Sequence, residues 1–425
     1  MSTAATHFDA TPTLTAGAVA VARPVPEAPA LGIKGRVARS VLSRIVRKVD
    51  VGLSLPSGER FGPSDPRLPQ LRVLDEEAFF GRLGDSPMIG LGEAYMAGEW
   101  TTADGTDLAD ALAPFAASLT DLIPKSFYRL RHVVLPRLLS SEQNTRDGSR
   151  HNIHRHYDLS NEMFAEFLDP TMSYSCALFD GLDPAPVLAD HEEAQLRKID
   201  AVLDAAGVRA GSRVLEIGTG WGSLAIRAAE RGATVTTITI SAQQAELARD
   251  RIEAAGMTDR VSVELCDYRD VQGEYDAVVS VEMIEAVGEE FWPTYFGKID
   301  EVLAPGGRAA IQAILLEHER FLATRNTYGW IHKYIFPGGL LPSTQAIEEV
   351  LARHTGLRLV EERYIGLHYA HTLRLWRERF NARWDHVQAL GFDETFRRMW
   401  EFYLAYCEAG FRTGYLDDAI LTMSR

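Results

Sequence analysis

The run Val214-Leu215-Glu216-Ile217-Gly218-Thr219-Gly220-Trp221-Gly222 is a short apolar strand that ends in three alternating glycines and opens into a helical pattern. Glycine permits positive φ and lets a ligand approach bare backbone, so this turn suits a nucleotide-type cofactor at the carboxyl end of a strand. Its spacing argues against a dinucleotide, because Ser223 stands where the third glycine of that fingerprint belongs. Thr239, Ser241, Gln243 and Gln244 follow a second strand pattern and are placed to bond a ribose, although Ser241 serves equally as a helix cap. Tyr268 and Arg269, in Asp267-Tyr268-Arg269-Asp270 after a third strand, can flank adenine. Glu282 and Glu285 follow a fourth. A carboxylate in an apolar pocket gains proton affinity and becomes a candidate base or anion orienter; both also fit a solvated helix start favoured by the dipole.

These residues need an alternating scaffold, and the hydrophobic pattern supplies one. Strands are expected at 213–217, 234–240, 261–265, 275–281 and 308–315, with helices at 222–231, 242–255 and 291–303 between them. That alternation implies an α/β fold with a mainly parallel, doubly wound sheet. Helical stretches at 317–334 and 343–354 read as a lid or insertion, and strands near 357–364 and at the far C-terminal end would complete the sheet. Residues 1–30 are Pro-interrupted without period and read as a disordered tail; 31–142 read as a smaller, mainly helical domain with a strand-like piece at 71–74 and helices at 108–122 and 127–139. A polar linker at 143–152 opens the larger, alternating domain, 143–425. In the N-terminal part Ile33, Val37, Val41, Ile45 and Val49 recur every four residues among Lys34, Arg36, Arg39, Arg44, Arg47 and Lys48. Such a basic amphipathic helix either lies in a bilayer interface or packs on its own domain.

A net charge of -15 disfavours nucleic acid as a partner. Three scattered cysteines suggest neither a disulfide framework nor a zinc site, so no metal is expected and a reducing cytoplasm fits. No stretch has the ~18 apolar residues of a membrane span, and no Lys or Arg precedes Arg23, so no secretory signal is expected. A lipid substrate would be reached peripherally, from the inner face of the plasma membrane.

The acidic residue two places before the glycine triplet resembles motif I of the class I methyltransferases, which bind S-adenosylmethionine. His156-Tyr157-Asp158-Leu159-Ser160-Asn161, Met172-Ser173-Tyr174-Ser175-Cys176-Ala177, the Glu285 segment and His368-Tyr369-Ala370-His371-Thr372-Leu373 extend the likeness in order. Over about residues 85 to 425 the chain resembles the cyclopropane-fatty-acyl-phospholipid synthase family, which includes the mycolic acid cyclopropane synthases. Within it the chain looks most like the actinobacterial branch that methylates oleoyl phospholipids toward 10-methylene stearoyl chains, precursors of tuberculostearic acid. The resemblance implies an S-adenosylmethionine site lined by Tyr174, Ser175, Val214, Glu216, Gly218, Gly220, Trp221, Gly222, Thr239, Ser241, Gln243, Gln244, Tyr268 and Arg269. It implies a bicarbonate base held by Cys176, Glu285, Ile314 and Tyr369. Here the chain departs from the family pattern: Gln312 stands where a histidine is expected, and its amide can bond an anion but takes up no proton at neutral pH. On residue type alone Cys176 reads as a buried hydrophobe and Tyr369 as a core aromatic.

Methyl transfer to an alkene would leave a cation on the acyl chain; proton loss then closes a cyclopropane or, after a hydride shift, gives a methylene branch. Reduction of that methylene would need a separate reductase, since no nicotinamide or flavin fingerprint is present. The sequence leaves oligomeric state open, a homodimer included.

Overall fold

The computed structural model describes residues 24–122 and 160–425. The helix expected at 127–139, the linker at 143–152 and most of the expected tail lie outside them.

The N-terminal part runs α1 (Gly32–Ile45), β1 (Gly52–Ser54), β2 (Arg60–Phe61), β3 (Gln70–Val73), α2 (Glu76–Asp85), α3 (Pro87–Met96), β4 (Trp100–Thr102) and α4 (Leu108–Leu122). Its strands form a sheet in the order β2-β1-β3-β4. Only the strand at β3 is expected from the sequence; the other three have two or three residues each, too few to show a period of two. Asp75 starts α2 by accepting from Ala78 N at 3.0 Å.

The larger part continues with α5 (Asn161–Phe167), α6 (His191–Ala205), β5 (Arg213–Ile217), α7 (Ser223–Glu230), β6 (Thr234–Thr239), α8 (Ala242–Ala254), β7 (Val261–Leu265), β8 (Tyr275–Val281), α9 (Trp292–Val302) and β9 (Leu303–Leu315). Then come α10 (His318–Thr324), α11 (Trp330–Tyr334), α12 (Thr344–His354), β10 (Arg358–Tyr364), α13 (Gly366–Ala382), α14 (Trp384–Ala389), α15 (Glu394–Arg412) and β11 (Asp417–Ser424). The sheet order is β10-β11-β9-β8-β5-β6-β7. Strands β9, β8, β5, β6 and β7 are parallel, and β11 is antiparallel to both of its neighbours. Val214, Leu215, Val278 and Val279 are fully buried, which explains why β5 and β8 read as unbroken apolar runs.

The chain goes from β5 outward through β6 to β7, then returns to place β8 on the other side of β5. This reversal opens a crevice at the carboxyl ends of β5 and β8, where doubly wound sheets take their ligands. The stretch expected as one lid helix is two, α10 and α11, with Gly329 preceding the second. Helices α13 and α15 carry Trp376 and Trp400 into an aromatic core with Phe164 and Phe167, and the rings of Phe164 and Trp400 meet edge to face at 6.2 Å. The N-terminal helices dock on this part through polar anchors. Arg377 donates to Asp107 at 2.8 Å and to Glu408 at 2.8 Å, and Tyr95 Oη donates to Glu401 at 2.9 Å.

Candidate active site

A cavity occupies the β5/β8 crevice. The turn after β5 holds Gly218, Gly220 and Gly222 at φ of 99°, 50° and 88°. Gly218 is required twice over, because a Cβ there would also stand 2.6 Å from Met283 Cγ. Beneath the turn Glu216 is buried and accepts from Thr237 Oγ1 at 2.6 Å, while the same hydroxyl meets Thr219 Oγ1 at 2.8 Å. Burial pushes the Glu216 carboxyl up to about 8.

Of the residues expected to hold the cofactor, Tyr174, Ser175, Glu216, Gly218, Gly220, Trp221, Thr239, Gln244, Tyr268 and Arg269 line the cavity. Four do not. Val214 is buried inside β5, and Gly222 sits behind the turn against Ala248, with a Cβ position 3.4 Å from the alanine methyl. Ser241 caps α8 by accepting from Gln244 N at 3.3 Å, and Gln243, one helical step off the inward face, is exposed. Tyr268 and Arg269 are pre-arranged: the guanidinium stacks 5.1 Å from the Tyr268 ring centre and 4.9 Å from that of Phe291. Tyr174 is fixed by a 2.8 Å bond between its hydroxyl and that of Tyr403.

Lys198 of α6 also lines the cavity, and nothing local in the sequence marks it. Its ammonium is buried and donates to Ser175 Oγ at 2.5 Å. Burial lowers its pKa, against the opposing pull of Glu282, Cys176 and Asp418 nearby.

The residues expected to surround an anion do converge, but on a side chain. Glu282, just past β8, has Oε1 accepting from Cys176 N at 2.9 Å and from Gln312 Nε2 at 2.9 Å, and Oε2 accepting from Tyr369 Oη at 2.7 Å. Glu285 is beside it, with Oε1 accepting from Ile314 N at 2.6 Å; burial first, then Glu282, push its carboxyl up to about 8. Asp418 of β11 completes the group. Burial and the adjoining Glu282 hold its pKa well above the usual carboxylate range. The Cys176 thiol is likewise raised by burial, so it is a neutral neighbour and not a nucleophile.

The bicarbonate that the resemblance implies does not fit this arrangement. The N–H of Cys176, the amide of Gln312 and the hydroxyl of Tyr369 are all committed to Glu282, and the N–H of Ile314 to Glu285. The buried atoms left without a partner are oxygens, Glu285 Oε2, Gln312 Oε1 and Asp418 Oδ1. A second anion would meet acceptors and negative charge. Among the described residues no cluster of metal-ligating side chains occurs, and no helix is long and apolar enough to cross a membrane.

Five parallel strands, a reversed strand β11 beside them and a glycine turn at the crevice define a class I methyltransferase fold. The family profile of mycolic acid cyclopropane synthetase matches residues 144–420, and the chain belongs to that family. It is 52% identical to the tuberculostearic acid methyltransferase UfaA1 of Mycobacterium tuberculosis over 403 residues, 94% of each chain. It is 33% identical to the cyclopropane-fatty-acyl-phospholipid synthase of Escherichia coli over 378 residues, 89% of this chain and 90% of the relative. Among solved structures, the mycolic acid cyclopropane synthase CmaA1 complexed with SAH and CTAB matches with a TM-score of 0.59 at 30% identity, covering 65% of this chain and 98% of that one.

Proposed function

We propose that the protein transfers a methyl group from S-adenosylmethionine to the double bond of an unsaturated, oleoyl-type acyl chain of a membrane phospholipid, giving a 10-methylene acyl chain. The observation that carries this reading is the adjacency of two features. The cofactor-type cavity at the glycine turn is walled by Glu282, and that residue is held in a buried cage of donors suited to an acid–base step. The relationship to the tuberculostearic acid methyltransferase favours the methylene product.

S-adenosylmethionine, when bound, supplies an electrophilic sulfonium methyl. The chain's own groups do the rest. The bare backbone at Gly218 and Gly220 admits the cofactor closely; Thr239 and Gln244 offer hydrogen bonds on one side, and Tyr268 with Arg269 a flat face on another. An alkene is a weak nucleophile, so alignment in a water-poor pocket supplies much of the rate. Tyr174 and Trp221, both packed on Phe164 at 5.2 Å between ring centres, form that dry wall.

Membrane access is assigned to α1. Ile33, Val37 and Val41 are 82%, 56% and 46% exposed, an apolar stripe flanked by the exposed cations Lys34, Arg36 and Arg44. Such a stripe suits peripheral attachment to an anionic bilayer, the inner face of the plasma membrane in a cell. Saturating the methylene to a methyl branch falls to a separate reductase.

The relationship to cyclopropane synthases supports a second reading, ring closure on the same lipids. Labelled S-adenosylmethionine with dioleoyl phospholipid vesicles, followed by mass spectrometry with fragmentation that separates a ring from a methylene, tests both. Label in the acyl chain with a methylene signature is the expected result. No label in the acyl chain overturns the proposal.

A further inference from the structure

We propose that Glu282 is the base that removes the proton from the methylated acyl chain, a carboxylate built into the polypeptide at the place where a dissolved anion would otherwise be held. The inference rests on the reading of the protein as an acyl-chain methyltransferase. Three independent features point to it.

First, the donors converging on Glu282 come from the segment before α6, from β9 and from α13, and they satisfy both of its oxygens. Second, Glu282 has φ of 49°, and only Met172 shares a positive φ among the described non-glycine residues. Such a backbone is kept only where the surroundings over-determine it, and it turns this side chain into the cage. Third, Glu282 also borders the cofactor cavity, beside Val281 and Met283, so the cage opens toward the reacting groups. The neighbouring carboxyls are suited to other parts. Burial first, then Glu282, push Glu285 up to about 8, and burial with Glu282 holds Asp418 well above the usual carboxylate range. Burial raises Glu282 as well, but it has the most donors of the three to draw it back, the Cys176 N–H, the Gln312 amide and the Tyr369 hydroxyl. Buried Lys198 is near enough for its ammonium to favour the carboxylate form of Glu282, and Glu282 in turn opposes the lowering of the lysine pKa by burial.

The step balances as follows. As the methyl C–S bond breaks and a C–C bond forms at the alkene, the other alkene carbon becomes cationic, and a hydride shift moves that charge to the methylated carbon. Glu282 takes a proton from the new methyl; the C–H pair becomes the second bond of the methylene, and the protonated Glu282 later releases its proton to solvent.

The test uses the full-length protein, oleoyl phospholipid vesicles and labelled cofactor, in buffer freed of carbon dioxide and in the same buffer with added bicarbonate. Wild-type turnover is expected to be the same in both. Glu282→Gln should lower turnover about 10²- to 10⁴-fold with cofactor binding retained by calorimetry. Glu282→Gly, which suits the positive φ and empties the cage, should be slow without bicarbonate and recover at least ~10-fold with bicarbonate or formate, in line with the same size of effect. Calorimetry should detect bicarbonate binding to the glycine variant and none to wild type. Wild-type activity that depends on bicarbonate, or near-normal turnover of Glu282→Gln, overturns the assignment. A wild type that never labels acyl chains overturns the methyltransferase reading, and this inference with it.

Discussion

Glu282 and Glu285 are three residues apart, yet their surroundings give them different tasks. Glu285 has one donor, Ile314 N, and a carboxyl raised from an ordinary 4.5 to about 8, so near neutrality it is mostly a neutral acid. Glutamine imitates that neutral form. Glu285→Gln is therefore expected to keep turnover within about tenfold of wild type at pH 7, far milder than the general-base loss expected at Glu282; a loss as large as that of Glu282→Gln would show that Glu285 must ionise. The same shift links to folding. With the folded value above the unfolded one, the stability Glu285 contributes is complete below about 4.5 and is lost as pH rises through about 8. Melting of wild type and Glu285→Gln between pH 4.5 and 8 should differ in slope, the variant lacking a pH-dependent loss on the order of a few kcal/mol. The sequence exposes both glutamates as candidates, and the family likeness points to Glu285. What separates them is contributed by Cys176, Gln312, Tyr369 and Asp418, which lie 106, 30, 87 and 136 positions away from Glu282 and meet it only through the sheet. No local spacing carries that information. Lys198 is hidden for the same reason.

At the scale of elements, legibility follows burial and length. Strands β5, β8 and β9 were readable because both faces are covered, so their apolar runs stand out, whereas the edge strand β7, with Ser262, Glu264 and Leu265 exposed, shows only an alternating pattern. The strands β1, β2 and β4 were not, since pairing with neighbours, and not their own pattern, makes them strands. Helix α1 shows how a periodic pattern can mislead in one direction. The four-residue stripe splits: Val49 enters the core just past the helix, together with Val46 outside the stripe, Ile45 is half-buried, and Ile33, Val37 and Val41 remain in solvent. Arg39 is already paired with Glu59 and Glu76, at 2.5 and 2.9 Å, and is a structural cation. Truncation through residue 49 would damage the core, so point changes are the better probe. Val37→Glu with Val41→Glu should leave stability within about 0.5 kcal/mol per site. Sedimentation with anionic vesicles should fall several-fold, most at low salt, where basic residues contribute most. Unchanged sedimentation would return α1 to an ordinary surface helix.

Across the whole molecule, the N-terminal part reaches the cavity through the lid. Helix α3 receives Trp330 of α11 at Gly92, where a Cβ would stand 2.5 Å from the indole. The next residue, Glu93, accepts from Tyr334 Oη at 2.7 Å and pairs with Lys333. Past α11, Phe336 packs on Tyr403 at 5.8 Å, and Tyr403 holds Tyr174 at the cavity wall. Gly92→Ala is thus expected to destabilise by about 1–3 kcal/mol through overpacking. It should also raise the KM for cofactor or lipid, through displaced Tyr174, more than it lowers the affinity for vesicles. Wild-type kinetics in a stably folded Gly92→Ala would deny that the two parts communicate along this path.

The carboxylate seated in the Cys176, Gln312 and Tyr369 cage has a consequence for physiology. A dissolved base is present in proportion to gas exchange and acidity, whereas one encoded in the chain comes with every copy made. Lipid branching in a cell that relies on this protein would then proceed alike under scarce and abundant carbon dioxide.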